Sequence, residues 1–226
     1  METHPIISVD SSRTQLQSMA QTVERAVTRS IESLVNFDIV SARDVIEDDK
    51  VVNGFEIAID NSTFNILAMS KEIPPDLLRN ILSIQKINPM LERIGDHAVN
   101  IAESAETLSC RVKNCNLFEI ELMADHCKCI LHDALKSFFE KDLLLAEDVL
   151  SRDDEIDRLN MSIAAEMKAG VLNDLEISFE TAMEIIRISR NLERIADLSS
   201  NIAEETMFSA SGRIVKHNPL VDQQHF

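Results

Sequence analysis

Apolar residues recur along this chain at steps of three and four, the spacing that lines up one face of an α-helix. Leu91, Ile94, Ala98 and Ile101 form one such line, and Leu192, Ile195 and Ile202 another. The two lines are written in nearly the same letters, LERIGDHAVNIAE at 91–103 and LERIADLSSNIAE at 192–204. The likeness extends upstream. ARDVIEDDKVVNGFEIAI, from Ala42, pairs with AEDVLSRDDEIDRLNMSI, from Ala146, at an offset of 104 residues. Met19, Val23, Val27, Ile31 and Asp38 answer Met123, Cys127, Leu131, Leu135 and Asp142 at that offset, which falls to 101 by the LERI segments. The second copy is therefore three residues shorter between its second and third segments. Period and repeat together predict an all-α protein: two tandem, sequence-related three-helix bundles with six helices.

Breaks in the pattern set the boundaries. Pro74, Pro75 and Asp76 read as a turn followed by a helix start, and Gly170 near Asn173 and Asp174 marks a weaker break in the second copy. The first bundle is placed at 1–110, a connection at 111–117, the second bundle at 118–210, and a C-terminal tail without clear period at 211–226.

Between the apolar lines run acids. Glu92, Asp96, Asn100 and Glu103 recur as Glu193, Asp197, Asn201 and Glu204, each set within about 80 degrees of a helical wheel, on a flank bordering the core. In the preceding helix of the second copy, Asp153 and Asp157 lie beside the apolar line of Val149, Ile156, Leu159 and Ile163; the first copy has Asp49 and Asn53 there. If second and third helices pack with these flanks together, carboxylates crowd. Like charges at helical neighbours repel and raise one another's pKa values, which a multivalent cation would relieve. Carboxylate oxygen is a hard donor suited to Mg, Ca, Mn or Fe ions. Equally, such a flank reads as a solvated face neutralised locally by Arg93 and Arg194, and spacing alone leaves both readings standing.

The formal charge of −17 argues against nucleic acid or a bare anionic membrane as partner and favours cations. METHPIISVDSS does not read as a signal peptide, and no run of roughly 18 apolar residues reads as a membrane span, so the expectation is a cytoplasmic protein. Cys110, Cys115, Cys127 and Cys129 are then expected as free thiols. Cys129, His132 and Asp133 share a helix face and are read as a satisfied polar patch before a soft metal site. His97, within the first acidic motif, is read as a surface or capping histidine. Gly-rich phosphate loops, nucleophile elbows and the Glu-x-x-His of diiron bundles are absent, which leaves catalysis without a seat.

The doubled LERI motif, each copy preceded by a helix carrying Asp-x-x-x-Asp or Asp-x-x-x-Asn, resembles the PhoU family of phosphate-transport regulators over about residues 13–208. That resemblance implies surface multinuclear metal clusters, with iron foremost and zinc, manganese or magnesium as alternatives. Carried over by position, the metal residues are Glu92 with Asp96, Asp153 with Asp157, and Glu193 with Asp197; Asp49 is followed by Asn53, a departure from the acidic pattern. The implied role is non-enzymatic: negative regulation of the phosphate-starvation response as an adaptor between a phosphate ABC transporter and a sensor histidine kinase. On this reading the protein is a homodimer, peripheral to the membrane through its protein partners. An accessory of a low-affinity phosphate transporter, or a carboxylate-bundle enzyme or metal store, is the alternative.

Overall fold

The computed structural model describes residues 5–109, 117–172 and 177–212. Cys110, Cys115, the connection up to residue 116 and the tail beyond residue 212 lie outside them, as does the side chain of Asp153. Every described element is helical: α1 Pro5–Asn36, α2 Ile39–Met69, α3 Pro75–Ser109, α4 Phe118–Glu140, α5 Leu143–Ser151, α6 Asp153–Leu172 and α7 Phe179–Ser211. α5 and α6 together occupy the place of α2, divided at the single turn residue Arg152, so the six-segment repeat holds with one segment split. Arg152 is drawn aside by ion pairs to Asp133 of α4 (2.6 Å) and to Asp148 (2.9 Å).

Local chemistry repeats with the architecture. α1 ends on Phe37 (φ 52°) and α4 on Lys141 (φ 58°), 104 positions later. In each case the next residue sends its N–H back to a serine carbonyl, Asp38 to Ser33 and Asp142 to Ser137, both at 2.9 Å. These are left-handed helix stops. The same two aspartates then cap the following helices, Asp38 accepting from the N–H groups of Val40 and Ser41 and Asp142 from that of Leu145. The three-residue difference falls in the first turn of the third helix: α7 begins at Phe179, the counterpart of Leu78, whereas α3 begins at Pro75.

The apolar lines bury as their period requires. Leu91, Ile94, Ala98 and Ile101 are fully enclosed, as are Leu192, Ile195 and Ile202, and a fully buried Leu or Ile contributes about 1.5–3 kcal/mol. Leu159 is only half-buried, unlike its neighbours Val149, Ile156 and Ile163. α1, α2 and α3 pack into one bundle and α4, α5, α6 and α7 into the other; α3 against α7, with α1 against α4, joins them. α3 and α7 run antiparallel, with Lys86 opposite Glu205, His97 opposite Asn191 and Asn100 opposite Arg187. The two halves are thereby related by a pseudo-two-fold axis between the LERI segments.

Candidate functional site

α2 and α3 lie side by side along a polar seam. Gln85 donates to Asp60 Oδ1 (2.8 Å) and accepts from Thr63, while Asn88 donates to Asp60 Oδ1 (2.9 Å) and to the Glu56 carbonyl (3.0 Å). This antiparallel register brings Asn53 and Asp49 level with Glu92 and Asp96 farther along the seam. The sequence expectation that the two flanks meet therefore holds in the first half.

Electrostatics follow from this placement. Burial first, and then the charges of Asp96, Glu56 and Asp49, push the Glu92 carboxyl above its ordinary range, against the pull of Arg93. Asp49 is likewise raised, by burial and by Asp96, while a hydrogen bond from Asn53 Nδ2 (2.9 Å) opposes the shift. Asn53, the departure from the acidic pattern, serves as a donor to the acid one turn before it. Glu56 belongs to this group although sequence reasoning passed it over. Its signal was present: Asp49, Asn53 and Glu56 are spaced by four and three, like Asp96, Asn100 and Glu103.

The acidic stripe of α3 divides between two neighbours. Glu92 and Asp96 border α2, but Asn100 and Glu103 accept from Arg187 of α7, at 2.8 and 2.6 Å. His97 stands at the α3–α7 crossing, half-buried, with Nδ1 2.9 Å from Asn191 Oδ1. Asn191 spends its amide N–H on the Arg187 carbonyl, so its oxygen receives the His97 proton. Burial lowers the His97 pKa, with the hydrogen bond to Asn191 and the charge of Asp96 opposing and Arg93 and Arg194 adding to the fall. It is a packing residue between the halves, which corrects the surface or capping expectation.

In the second half, Glu193 and Asp197 are half-buried on α7 and Asp157 is exposed on α6. Arg194 lies 3.8 Å from Asp197, the local neutralisation weighed from the sequence. Asn160, the counterpart of Glu56, accepts from Ser189 Oγ (2.9 Å), which fixes the register of α6 on α7. Among the described residues, no three His, Cys, Asp or Glu side chains converge in the geometry of a metal site. The donor set is nonetheless all oxygen, and in the first seam burial first and neighbouring acids second raise the Glu92 and Asp49 carboxyls. That chemistry fits a hard cation reached by rotation of the side chains.

The remaining candidates resolve simply. His132 faces Glu24 of α1 at 3.0 Å, Asp133 accepts from Arg152 at 2.6 Å, and Cys129 is a free, exposed thiol. Cys127 is buried, its thiol pushed up to about 12 by the loss of water. A cleft of about 220 Å³ opens behind Asp49 between Arg25, Arg29 and Gly95, and one of about 350 Å³ between α1 and α4 beside Arg13 and Lys136.

With the geometry in place, comparison adds descent. The family described as PhoU domain matches residues 16–105 and again 120–206, one match per bundle. The chain is 32% identical to the phosphate-specific transport system accessory protein PhoU homolog of Aquifex aeolicus, over 95% of this chain and 96% of that one. It is 30% identical to the PhoU protein of Escherichia coli K12, over 92% and 86% respectively. The crystal structure of PhoU from Pseudomonas aeruginosa superposes with a TM-score of 0.89 at 29% identity, covering 93% of this chain and all of that one.

Proposed function

The chain belongs to the PhoU family, and from that membership we propose that it is a non-enzymatic accessory and negative regulator of phosphate transport. The observation that carries this is the near end-to-end match to relatives named phosphate-specific transport system accessory proteins. In the finer form of the proposal it is an adaptor between a phosphate ABC transporter and a sensor histidine kinase. It works in the cytoplasm as a homodimer and reaches the membrane through those partners. Among the described residues no helix is long and apolar enough to cross a membrane, which supports attachment through protein contacts. Deleting the gene tests the role: a phosphate-starvation reporter should switch on in phosphate-rich medium. An unchanged reporter with altered phosphate uptake would remove the kinase from the scheme and leave an accessory of the transporter alone.

The two acidic seams are proposed as the metal sites, iron foremost, with zinc, manganese or magnesium as alternatives. Asp49, Glu92 and Asp96, with Glu56 beside them, would hold the ion in the first half, and Asp153, Asp157, Glu193 and Asp197 in the second. A bound cation supplies positive charge that ties the second helix of each bundle to the third. The carboxylates border the core without filling it, so their amides should spare the fold. Asp157→Asn with Asp197→Asn, and separately Glu92→Gln with Asp96→Asn, should lower metal content in elemental analysis with unchanged helicity. Equal metal in the variants and the parent protein would end the metal assignment.

A further inference from the structure

Each seam has a second end that is apolar and open to solvent. The cross-bonds between α2 and α3 place Phe64 level with Leu82 and Leu67 level with Leu78, and all four are exposed, Phe64 to 69%. Two turns from Phe64 toward the acids, Ile57 is 62% exposed. One exposed leucine is ordinary, but apolar residues gathered along a single groove mark a contact surface.

The internal repeat strengthens this observation. The counterparts of Ile57, Leu78 and Leu82 are Met161, Phe179 and Met183, and all three are exposed as well. The residue differs at every one of these places while its apolar character is kept. Solvent-facing positions drifting freely in a chain of charge −17 would have turned polar. Lys168 stands where the first groove has Phe64. The second groove is therefore the less apolar of the two.

Beyond the apolar end each groove turns acidic, through Asp60, Glu56, Glu92 and Asp96 in the first half and Asp157, Glu193 and Asp197 in the second. We infer that each seam, in its cation-free state, is a docking groove for a basic amphipathic helix of a partner protein, its apolar face on the exposed tip residues and its Lys or Arg side chains on the acids, so that helix and cation compete for the same carboxylates. Charge complementarity selects this occupant. A second copy of the chain would set acid against acid, and an anionic lipid surface would be repelled. An amphipathic helix laid in a groove meets both ends of the seam at once. The pseudo-two-fold axis relates the grooves, and a partner with two such helices set to reach both would gain roughly 10²–10⁴-fold over one from joint engagement. That the partner is the phosphate transporter rests on the accessory role proposed above; the groove itself does not.

Two probes separate those claims, both used on the full chain with chelator present so that no cation masks the acids. The first is a synthetic 18-residue helical peptide with leucine on one face and lysine on the other, against its scrambled sequence. The second is the phosphate ABC transporter of the same organism in nanodiscs. The peptide should bind at two per chain, weaken as salt rises, and lose at least tenfold in affinity at one site with Phe64→Glu/Leu82→Glu and at the other with Met161→Glu/Met183→Glu. Peptide binding with no transporter binding would sustain the groove and overturn the transporter role. Transporter binding that survives both variants would overturn the groove as the transporter's site; peptide binding indifferent to them, or a variant-induced fall from dimer to monomer in sedimentation, would overturn the groove itself, the last by making the patch a self-association face. The substitutions are on exposed helix surface, and an unchanged circular dichroism spectrum confirms that folding is not what was lost.

Discussion

Gly95 and Ala196 hold equivalent places in α3 and α7, and exchanging them measures how closely the second and third helices approach. Gly95 needs none of glycine's conformational freedom, since it lies in regular helix. A Cβ added there would sit 3.4 Å from Asp49 Oδ1 and 3.4 Å from Val52 Cγ1, the near edge of ordinary contact. Replacing a helical glycine by alanine gains about 0.8–1.0 kcal/mol, and a buried methyl about 0.8 kcal/mol. Against this, the methyl strips water from the Asp49 carboxylate, at a cost of about 1 kcal/mol. The net expectation for Gly95→Ala is a gain of about 0.5–1 kcal/mol, a rise in Tm of roughly 1–4 °C for a chain of this size. Ala196 is itself buried, so Ala196→Gly gives up both favourable contributions and should cost about 1.5–2 kcal/mol. Urea denaturation followed by circular dichroism reads both as midpoint shifts at unchanged m-value. A destabilised Gly95→Ala would mean that α2 and α3 approach too closely for a methyl, and a neutral Ala196→Gly would mean that α7 is loosely packed there.

Three further outcomes are expected. The Glu92 carboxyl is raised in the folded state, so the fold binds its proton more tightly than the unfolded chain does, and stability from this group is lost as pH rises from the ordinary carboxylate range through the raised pKa. Glu92→Gln should therefore gain on the parent protein in Tm as pH rises above the ordinary carboxylate range of about 4, and parallel Tm curves would contradict the burial and crowding of that carboxyl. Ile163→Ala, at a fully buried site, should cost about 2–5 kcal/mol and half-buried Leu159→Ala distinctly less; equal costs would upset the facing of α6. Iodoacetamide at pH 8 should alkylate exposed Cys129 and spare Cys127, as read by peptide mass mapping, and early labelling of Cys127 would show that the second bundle opens.

What was legible in the sequence follows from what a single helix can reveal. Leu91, Ile94, Ala98 and Ile101 announce a buried face because burial obeys the helical period, and the repeat makes the same statement twice. A helical wheel does not say which neighbour borders each flank. Thus Glu92, Asp96, Asn100 and Glu103 read as one stripe, whereas the fold assigns the first two to α2 and the last two to Arg187 of α7. Glu56 has Asn160 as its counterpart, so the repeat does not mark it. The division at Arg152 carries no Gly or Pro to mark it, and the residue there is paired with Asp133, a partner on another helix. His97 reads as a surface residue until α7 supplies Asn191.

The antiparallel pairing of α3 with α7 has the form of a self-complementary contact between two like subunits, here tied into one chain. In a true pair of identical subunits every substitution lands on both sides of the axis at once. Tandem fusion removes that obligation. His97 faces Asn191 on one side, while the counterparts, Leu198 and Met90, are both apolar. Likewise Lys86 holds the buried Glu205 through both oxygens at 3.0 Å beneath Phe208, whereas its counterpart Arg187 reaches instead for Asn100 and Glu103. One ancestral surface has become two specialised ones, and the molecule has acquired a left and a right that a symmetric assembly does not have.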